Sequence, residues 1–243
     1  MRPDAPVGVV LALHGEACLV AGDSLAPQQS YLRGDARFML SGMGMQRART
    51  AAQALVDQGV SGLLSVGFAG ALSPDLKCGT VLLPTLVRSQ GEAWPTTPQW
   101  HATCSELLPQ PTVNAELWTA PGVMAGPAQK QKIFDAHGAL AVDMEAAALA
   151  RVAHVGGLPF MAIKIVLDEY QDALPDLSEC IDAYGRASLA RLSARVLQRP
   201  SVGLQLMRLA RRYRFAARSL RGVVRSLGSG FGLSAGEMPV KAR

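Results

Sequence analysis

The sequence predicts a single large α/β domain built on a mostly parallel sheet, and three observations carry that reading. The chain has 243 residues, 49% of them hydrophobic, which suits one α/β domain with a substantial core. Short apolar runs alternate with stretches of helical period. Between Phe38 and Val66, strand, turn, helix and strand follow one another in about 30 residues, the sequence form of a βαβ unit.

Val7 to Leu13 is an apolar run that predicts a first buried strand. Phe38 to Leu40 predicts a second, ending in the turn Ser41-Gly42-Met43-Gly44. Gln46 to Asp57 has helical spacing at Ala48, Ala51, Ala52, Leu55 and Val56, with Gly59 as the stop. Leu63 to Val66 predicts a strand running into the turn Gly67-Phe68-Ala69-Gly70, and Val81 to Val87 another strand. Residues 88–111, rich in Pro, Thr, Gln and Trp, predict an irregular excursion. Val142 to Val155 predicts a helix, Leu158 to Leu167 a strand, and Cys180 to Leu197 a final core helix stopped near Pro200. Residues 1–200 are therefore read as the α/β domain and 201–243 as a basic amphipathic extension. The Gly, Ser and Pro content of residues 228–243 predicts an unordered end.

No apolar run reaches the roughly 20 residues that cross a bilayer, and Met1 to Pro6 lacks the form of a secretory signal. Cys18, Cys78, Cys104 and Cys180 form no CxxC pair, which fits a reducing, cytoplasmic setting. His14, His101, His137 and His154 show no metal-ligand spacing, so no metal is expected. Charge is divided unevenly. Residues 1–182 carry 11 Lys/Arg and 18 Asp/Glu, whereas residues 183–243 carry 13 Lys/Arg and one acid, Glu237. The body is acidic and the tail basic.

Three carboxylates are candidates for chemistry. Glu16 follows the first strand, Glu145 opens a helix, and Asp168 closes an apolar strand. In open α/β sheets the ligand crevice lies at the carboxyl ends of strands. Taken singly, each has a plainer role. Glu145 can be a first-turn acid facing a helix dipole, and Asp168 a helix cap. The glycine turns at 42–44 and 67–70 permit close backbone approach to a ligand, and neither is a dinucleotide fingerprint nor a P-loop.

Four segments together resemble the nucleoside phosphorylase superfamily, most of all its methylthioadenosine/S-adenosylhomocysteine nucleosidase branch. They are VGVVLALHGEACLV, MLSGMGMQRARTAAQALVDQGVSGLLSVGFAGAL, VDMEAAALARVA and LPFMAIKIVLDEY. The resemblance implies a three-layer sandwich with a central mixed, mostly parallel sheet. It implies a purine nucleosidase that needs no cofactor, with water as nucleophile, or phosphate in a phosphorylase. It makes Asp168 the acid that protonates N7 of the purine and Glu16 the carboxylate that activates water. Glu145 becomes the binder of the ribose hydroxyls, Met144 the wall under the sugar, Met43 and Gly44 neighbours of the ribose, and Gly67 and Ala69 neighbours of the base. A homo-oligomer is also implied. The chain departs from the family pattern at Phe68 and Leu167, where Ser is usual, at Lys164, where Arg is usual, and over Trp118 to Pro127, the loop on the base side. The resemblance thus speaks to the bond cleaved more than to the substrate.

Two further readings stay open. Lys164, Arg33, Arg47 and Arg88 leave phosphorolysis in play, and a retained scaffold that binds nucleosides or adapts to membranes without catalysis is the non-enzymatic alternative. In the tail, Leu206, Leu209, Ala210, Tyr213, Ala217, Leu220, Val224 and Leu227 share one helical face, with arginines including Arg212 opposite. Such a helix, over residues 204–227, can lie peripherally on the inner face of an anionic membrane, pack on the core or a subunit, or bind RNA. Nucleic acid ranks last, because only Tyr213 and Phe215 offer stacking groups. The basic extension and altered loop also resemble the hopanoid-associated branch, which removes adenine from adenosylhopane to leave ribosylhopane.

Overall fold

A computed structural model describes residues 5–109, 111–124 and 126–233. The elements in chain order are β1 (Val7–Leu11), α1 (His14–Val20), β2 (Ser30–Arg33), β3 (Ala36–Leu40), α2 (Met45–Asp57), β4 (Leu63–Ala71), β5 (Val81–Ser89), β6 (Glu92–Pro95), α3 (Pro98–Leu107), β7 (Thr112–Thr119), α4 (Pro127–His137), β8 (Ala141–Asp143), α5 (Ala146–Gly156), β9 (Phe160–Asp168), α6 (Leu189–Gln198) and α7 (Pro200–Leu227).

The strands form one mixed sheet in the order β2-β3-β1-β4-β8-β7-β5-β6, and β9 joins β4 to β5. The pairs β1–β3, β1–β4, β4–β9, β5–β7 and β7–β8 are parallel. Helices cover both faces, giving the three layers expected. On one face α2 and α5 bury Ala51, Ala52, Leu55, Ala147 and Leu149 against the strands. These small side chains let the helices sit close to the sheet, in keeping with a sequence that has few aromatics to fill space. On the other face α1, α3 and α7 bury Ala17, Trp100, Leu220 and Val223. Because β1, β4 and β9 run parallel, their carboxyl ends open on the same edge, where Glu16 follows β1 and Asp168 ends β9, whereas Glu145 follows β8, which pairs antiparallel with the last residues of β4.

Four sequence expectations are corrected. Residues 88–111 contain strand β6 and helix α3. Pro98 begins that helix, where its missing N–H and fixed φ are helpful, and Trp100 and Cys104 point into the core one turn apart. The helix expected from Val142 starts only at Ala146, because Ala141–Asp143 is strand β8. The Asp143 carboxylate accepts the Ala146 N–H at 2.9 Å and starts the helix there. Gly67 to Gly70 is not a turn: β4 continues to Ala71 with a register shift between Ala69 and Gly70. The core helix expected over Cys180 to Leu197 is instead a turn region followed by α6, a surface helix in which no residue is buried. The stop near Pro200 holds, since α6 ends at Gln198, but α6 is not the final helix: Pro200 opens α7.

The second half of α7 is part of the core. Ala216, Ala217, Leu220, Val223 and Leu227 are buried, a face rotated from the one expected, since Ala210 is exposed. Residues 228–233 turn back and bury Phe231, whose carbonyl accepts the Trp100 Nε1–H at 2.8 Å. The rest of the end expected to be unordered, residues 234–243, lies outside the described residues. Leu220→Ala is expected to cost about 2–5 kcal/mol of stability, read as a lower urea midpoint. No helix among the described residues is long and apolar enough to cross a membrane.

Candidate active site

A cavity of about 140 Å³ opens at the carboxyl edge of the sheet, and its lining includes Glu16, Met43, Ala69, Met144, Glu145 and Asp168. Six of the eight residues singled out from sequence therefore meet in one place. The other two, Gly44 and Gly67, stand behind the wall. Gly44 donates its N–H to Glu145 Oε1 at 2.7 Å. A side chain on Gly67 would collide with the Glu16 carboxylate. Gly44 thus binds one acid and Gly67 leaves the space another occupies.

Glu16 lies in the first turn of α1 and is 4% exposed. Its Oε2 accepts the N–H groups of Ala12 and Leu13 at 3.0 Å each, and its Oε1 accepts the Phe68 N–H at 2.9 Å. Burial pushes its carboxyl above the ordinary range, while the Lys164 charge and the three N–H donors pull the other way. A buried carboxylate with its basicity raised in this manner is a better proton acceptor at neutral pH.

Glu145 sits at the N-terminal cap of α5. Burial, then the neighbouring Asp143 charge, push it up to about 7. Asp143 itself is engaged. It pairs with Lys164 Nζ at 2.9 Å and accepts the Thr119 hydroxyl at 2.6 Å. Lys164 is 3% exposed and thus not a solvated surface charge; it does not line the cavity, although its charge acts on Glu16 and Glu145. Of the other cations weighed for phosphate, Arg33 pairs with Asp23 and Arg88 with Glu116, while Arg47 is exposed beside the site, one terminal nitrogen donating to the Met43 carbonyl at 3.5 Å.

Asp168 closes β9 and is 6% exposed. A Cβ added to Gly70, its partner in the β4–β9 ladder, would stand 3.0 Å from Asp168 Oδ2, so only glycine leaves the acid its present room. Burial raises the acid above its ordinary range, and Lys130 opposes that rise. Lys130 reaches in from α4 and is fully buried. Its Nζ donates to Asp168 Oδ2 and to the Glu169 carbonyl, both at 2.6 Å. Sequence reasoning missed Lys130. It shares a polar helix with Lys132, and nothing in the spacing marks one of the two as buried.

The remaining walls are apolar. Leu13, Phe68, Val123, Met124, Leu167 and Leu174 line the cavity with the two methionines. Leu167 and Phe68, where the family pattern has Ser, thus make the site drier. The Trp118 to Pro127 segment supplies Gly122, Val123 and Met124 to the wall. Such a site offers two buried acids to a reacting molecule, a third carboxylate for neutral donors, and a low-dielectric lining that strengthens each polar contact.

The phosphorylase superfamily model matches residues 9–197. No curated protein matches the chain. Among solved structures, an S-adenosylhomocysteine nucleosidase from Streptococcus pyogenes in complex with 5-methylthiotubericidin is similar over 93% of this chain and 99% of that one, at 17% identity and a TM-score of 0.65. Futalosine hydrolase of Helicobacter pylori is similar over 91% of this chain and 98% of that one, at 14% identity and a TM-score of 0.64. A 5′-methylthioadenosine/S-adenosylhomocysteine nucleosidase from Colwellia psychrerythraea in complex with adenine is similar over 69% and 84%, at 20% identity and a TM-score of 0.61. At these identities the likeness is one of fold.

Proposed function

Since this chain belongs to the phosphorylase superfamily, we propose that it is a hydrolytic purine nucleosidase acting on a 5′-substituted adenosine. The observation that carries the reading is the pairing of Glu16 and Asp168, two buried carboxylates brought from different strand ends to one cavity. Asp168 in its protonated form delivers a proton to N7 of the base as the C1′–N9 bond breaks. The electron pair of that bond leaves with the purine as a neutral molecule. Glu16 takes a proton from water as the water oxygen bonds to C1′, so the two acids flank an oxocarbenium-like sugar as in inverting glycoside hydrolysis. Glu145 accepts hydrogen bonds from the ribose hydroxyls, and Met43 and Met144 pack against the sugar.

Water is favoured over phosphate by the charge of the site. Among the described residues no Lys or Arg lines the cavity, whereas Glu16, Asp143, Glu145 and Asp168 do. A bound phosphate needs cations and would meet like charge here. The same acids argue against a purely binding scaffold, because burying carboxylates is costly and a neutral nucleoside does not require three of them. Adenine release from 5′-methylthioadenosine, assayed with and without phosphate, tests the reading. Strict dependence on phosphate overturns hydrolysis, and no release from any adenine nucleoside overturns the activity.

The lipid nucleoside adenosylhopane is the substrate for which the tail gives a reason. Leu189, Leu197, Leu204 and Met207 are between 59% and 82% exposed on α6 and the start of α7, beside the arginines of the same two helices. That surface suits the inner face of an anionic membrane, where such a substrate resides. Turnover of methylthioadenosine with none of adenosylhopane in vesicles would remove this substrate.

Glu145→Gln is expected to lower kcat/KM about 10- to 100-fold, the value of one charge-assisted hydrogen bond. Because the Glu145 carboxyl is pushed up to about 7, the wild-type kcat/KM should fall as pH drops through that value and the carboxylate is lost. The variant should lack that limb; a limb that persists unchanged in it assigns the titration elsewhere.

A further inference from the structure

Helix α7 lies beyond the residues that the family model matches, yet it reaches the back of the site. A second cavity, of about 180 Å³, shares Asp168 and Leu174 with the first, and Arg208, Leu209 and Arg212 of α7 form part of its wall. Arg212 shares that wall with Arg208, one turn before it on α7. Its Nε donates to Asp172 Oδ2 at 2.8 Å, one terminal nitrogen to Asp172 Oδ1 at 2.9 Å, and the other to Glu169 Oε1 at 2.8 Å. One guanidinium therefore grips both acids of the turn that follows Asp168.

That turn is held from several sides. The Glu169 N–H donates to Asp172 Oδ2 at 2.7 Å. Cys78, in the loop before β5, donates its N–H to Glu169 Oε1 at 3.1 Å. Lys130 binds the Glu169 carbonyl and the Asp168 carboxylate together. Asp168 thus faces Lys130 from α4, Glu169 and Asp172 from its own turn, Arg212 with Arg208 from α7, and, around the first cavity, Glu16, Asp143 and Glu145. The seat of Arg212 is firm. The next residue, Tyr213, packs its ring on Phe68 at 5.4 Å and sets its hydroxyl against Gly15, beside Glu16. Burial of Ala216, Ala217 and Leu220 fixes the following turn.

We infer that Arg212 is a positioning residue for the reaction, holding the turn that aims Asp168 and cancelling the two acidic charges beside it. The inference rests on the nucleosidase reading above. It makes the basic tail a working part of the active site. The planar fork is what the role needs, since it binds one carboxylate through two nitrogens and a second carboxylate through a third.

The test is steady-state adenine release across pH by the full-length protein, with thermal midpoints measured alongside. Arg212→Met is expected to lower kcat about 10- to 100-fold with KM within about twofold of wild type, the signature of a misaimed group. It should also move the alkaline limb to higher pH, because uncancelled Glu169 and Asp172 charges hold the proton on Asp168 more tightly. Arg212→Lys keeps the charge without the fork, so its limb should stay near the wild-type position while kcat falls. The double variant E169Q/D172N leaves the arginine unopposed and should move the limb to lower pH, a sign that general destabilisation does not produce. Unmoved limbs in both Arg212→Met and the double variant overturn the role, as does a wild-type kcat in Arg212→Met. Asp168→Asn, run in parallel, separates the two levels. Turnover that survives it removes the acid and this role with it, whereas loss there with an unaffected Arg212→Met removes the role alone.

Discussion

Asp168→Asn is expected to lower kcat for adenine nucleosides by about 10²- to 10⁴-fold, the range associated with a positioned general acid. Asparagine has nearly the same shape and can still accept from Lys130, but it has no proton to give to N7. The purine must then leave as an anion, which makes it a poor leaving group. A ribosyl substrate with 4-nitrophenolate as its leaving group needs no such proton and should be turned over by the variant at a rate much nearer to wild type. That contrast is the decisive measurement. Equal losses on both substrates would mean that Asp168 supports the fold or binding and does not act as the acid. The thermal midpoint belongs in the same experiment, because the change also leaves Lys130 buried without its counter-charge.

Two of the three acids are legible for a common reason: Glu16 follows the apolar run of β1 and Asp168 ends that of β9, and an acid there either lines a crevice or pays for its burial with no return. Glu145 is legible in sequence only as an acid that opens a helix and through the resemblance, because Val142, Ala146, Leu149, Ala150 and Ala153 continue a helical spacing that hides strand β8. What sequence could not show is which cations answer these acids. Lys130 and Lys132 are two residues apart on one helix, and Arg211 and Arg212 are adjacent in one run. Their different fates depend on how α4 and α7 are rolled against the sheet, a tertiary fact. The surface position of α6 has the same origin. Its strong amphipathic pattern resembles that of a core helix, yet none of its residues is buried and α7 supplies core residues on the sheet face.

Lys130→Met is expected to destabilise the protein by about 3–5 kcal/mol near neutral pH, the usual consequence of removing one partner of a buried ion pair. Both partners are almost wholly out of solvent, with side-chain exposures of 0% and 8%, so screening by water is slight. The direction of the pH dependence follows from the charges that remain. Burial and Asp172 both raise the Asp168 carboxyl, and Lys130 is what holds that rise in check. Without Lys130 the folded protein keeps the proton on Asp168 to a higher pH than the unfolded chain does. The folded state then binds more protons than the unfolded state, and stability falls as pH rises above the unfolded value of about 4. The deficit relative to wild type should therefore be small near that value and grow toward neutral and alkaline pH. Urea unfolding of both proteins across that range checks it, and a deficit that grows toward acid pH would exclude the ion pair as its cause. Removing both charges together sharpens the point. K130M/D168N leaves no orphan charge, so it should be more stable at neutral pH than Lys130→Met alone, even though it lacks one more native group. An additive loss would instead mean that Lys130 matters for packing, and that the acid depends on the cavity alone for its proton.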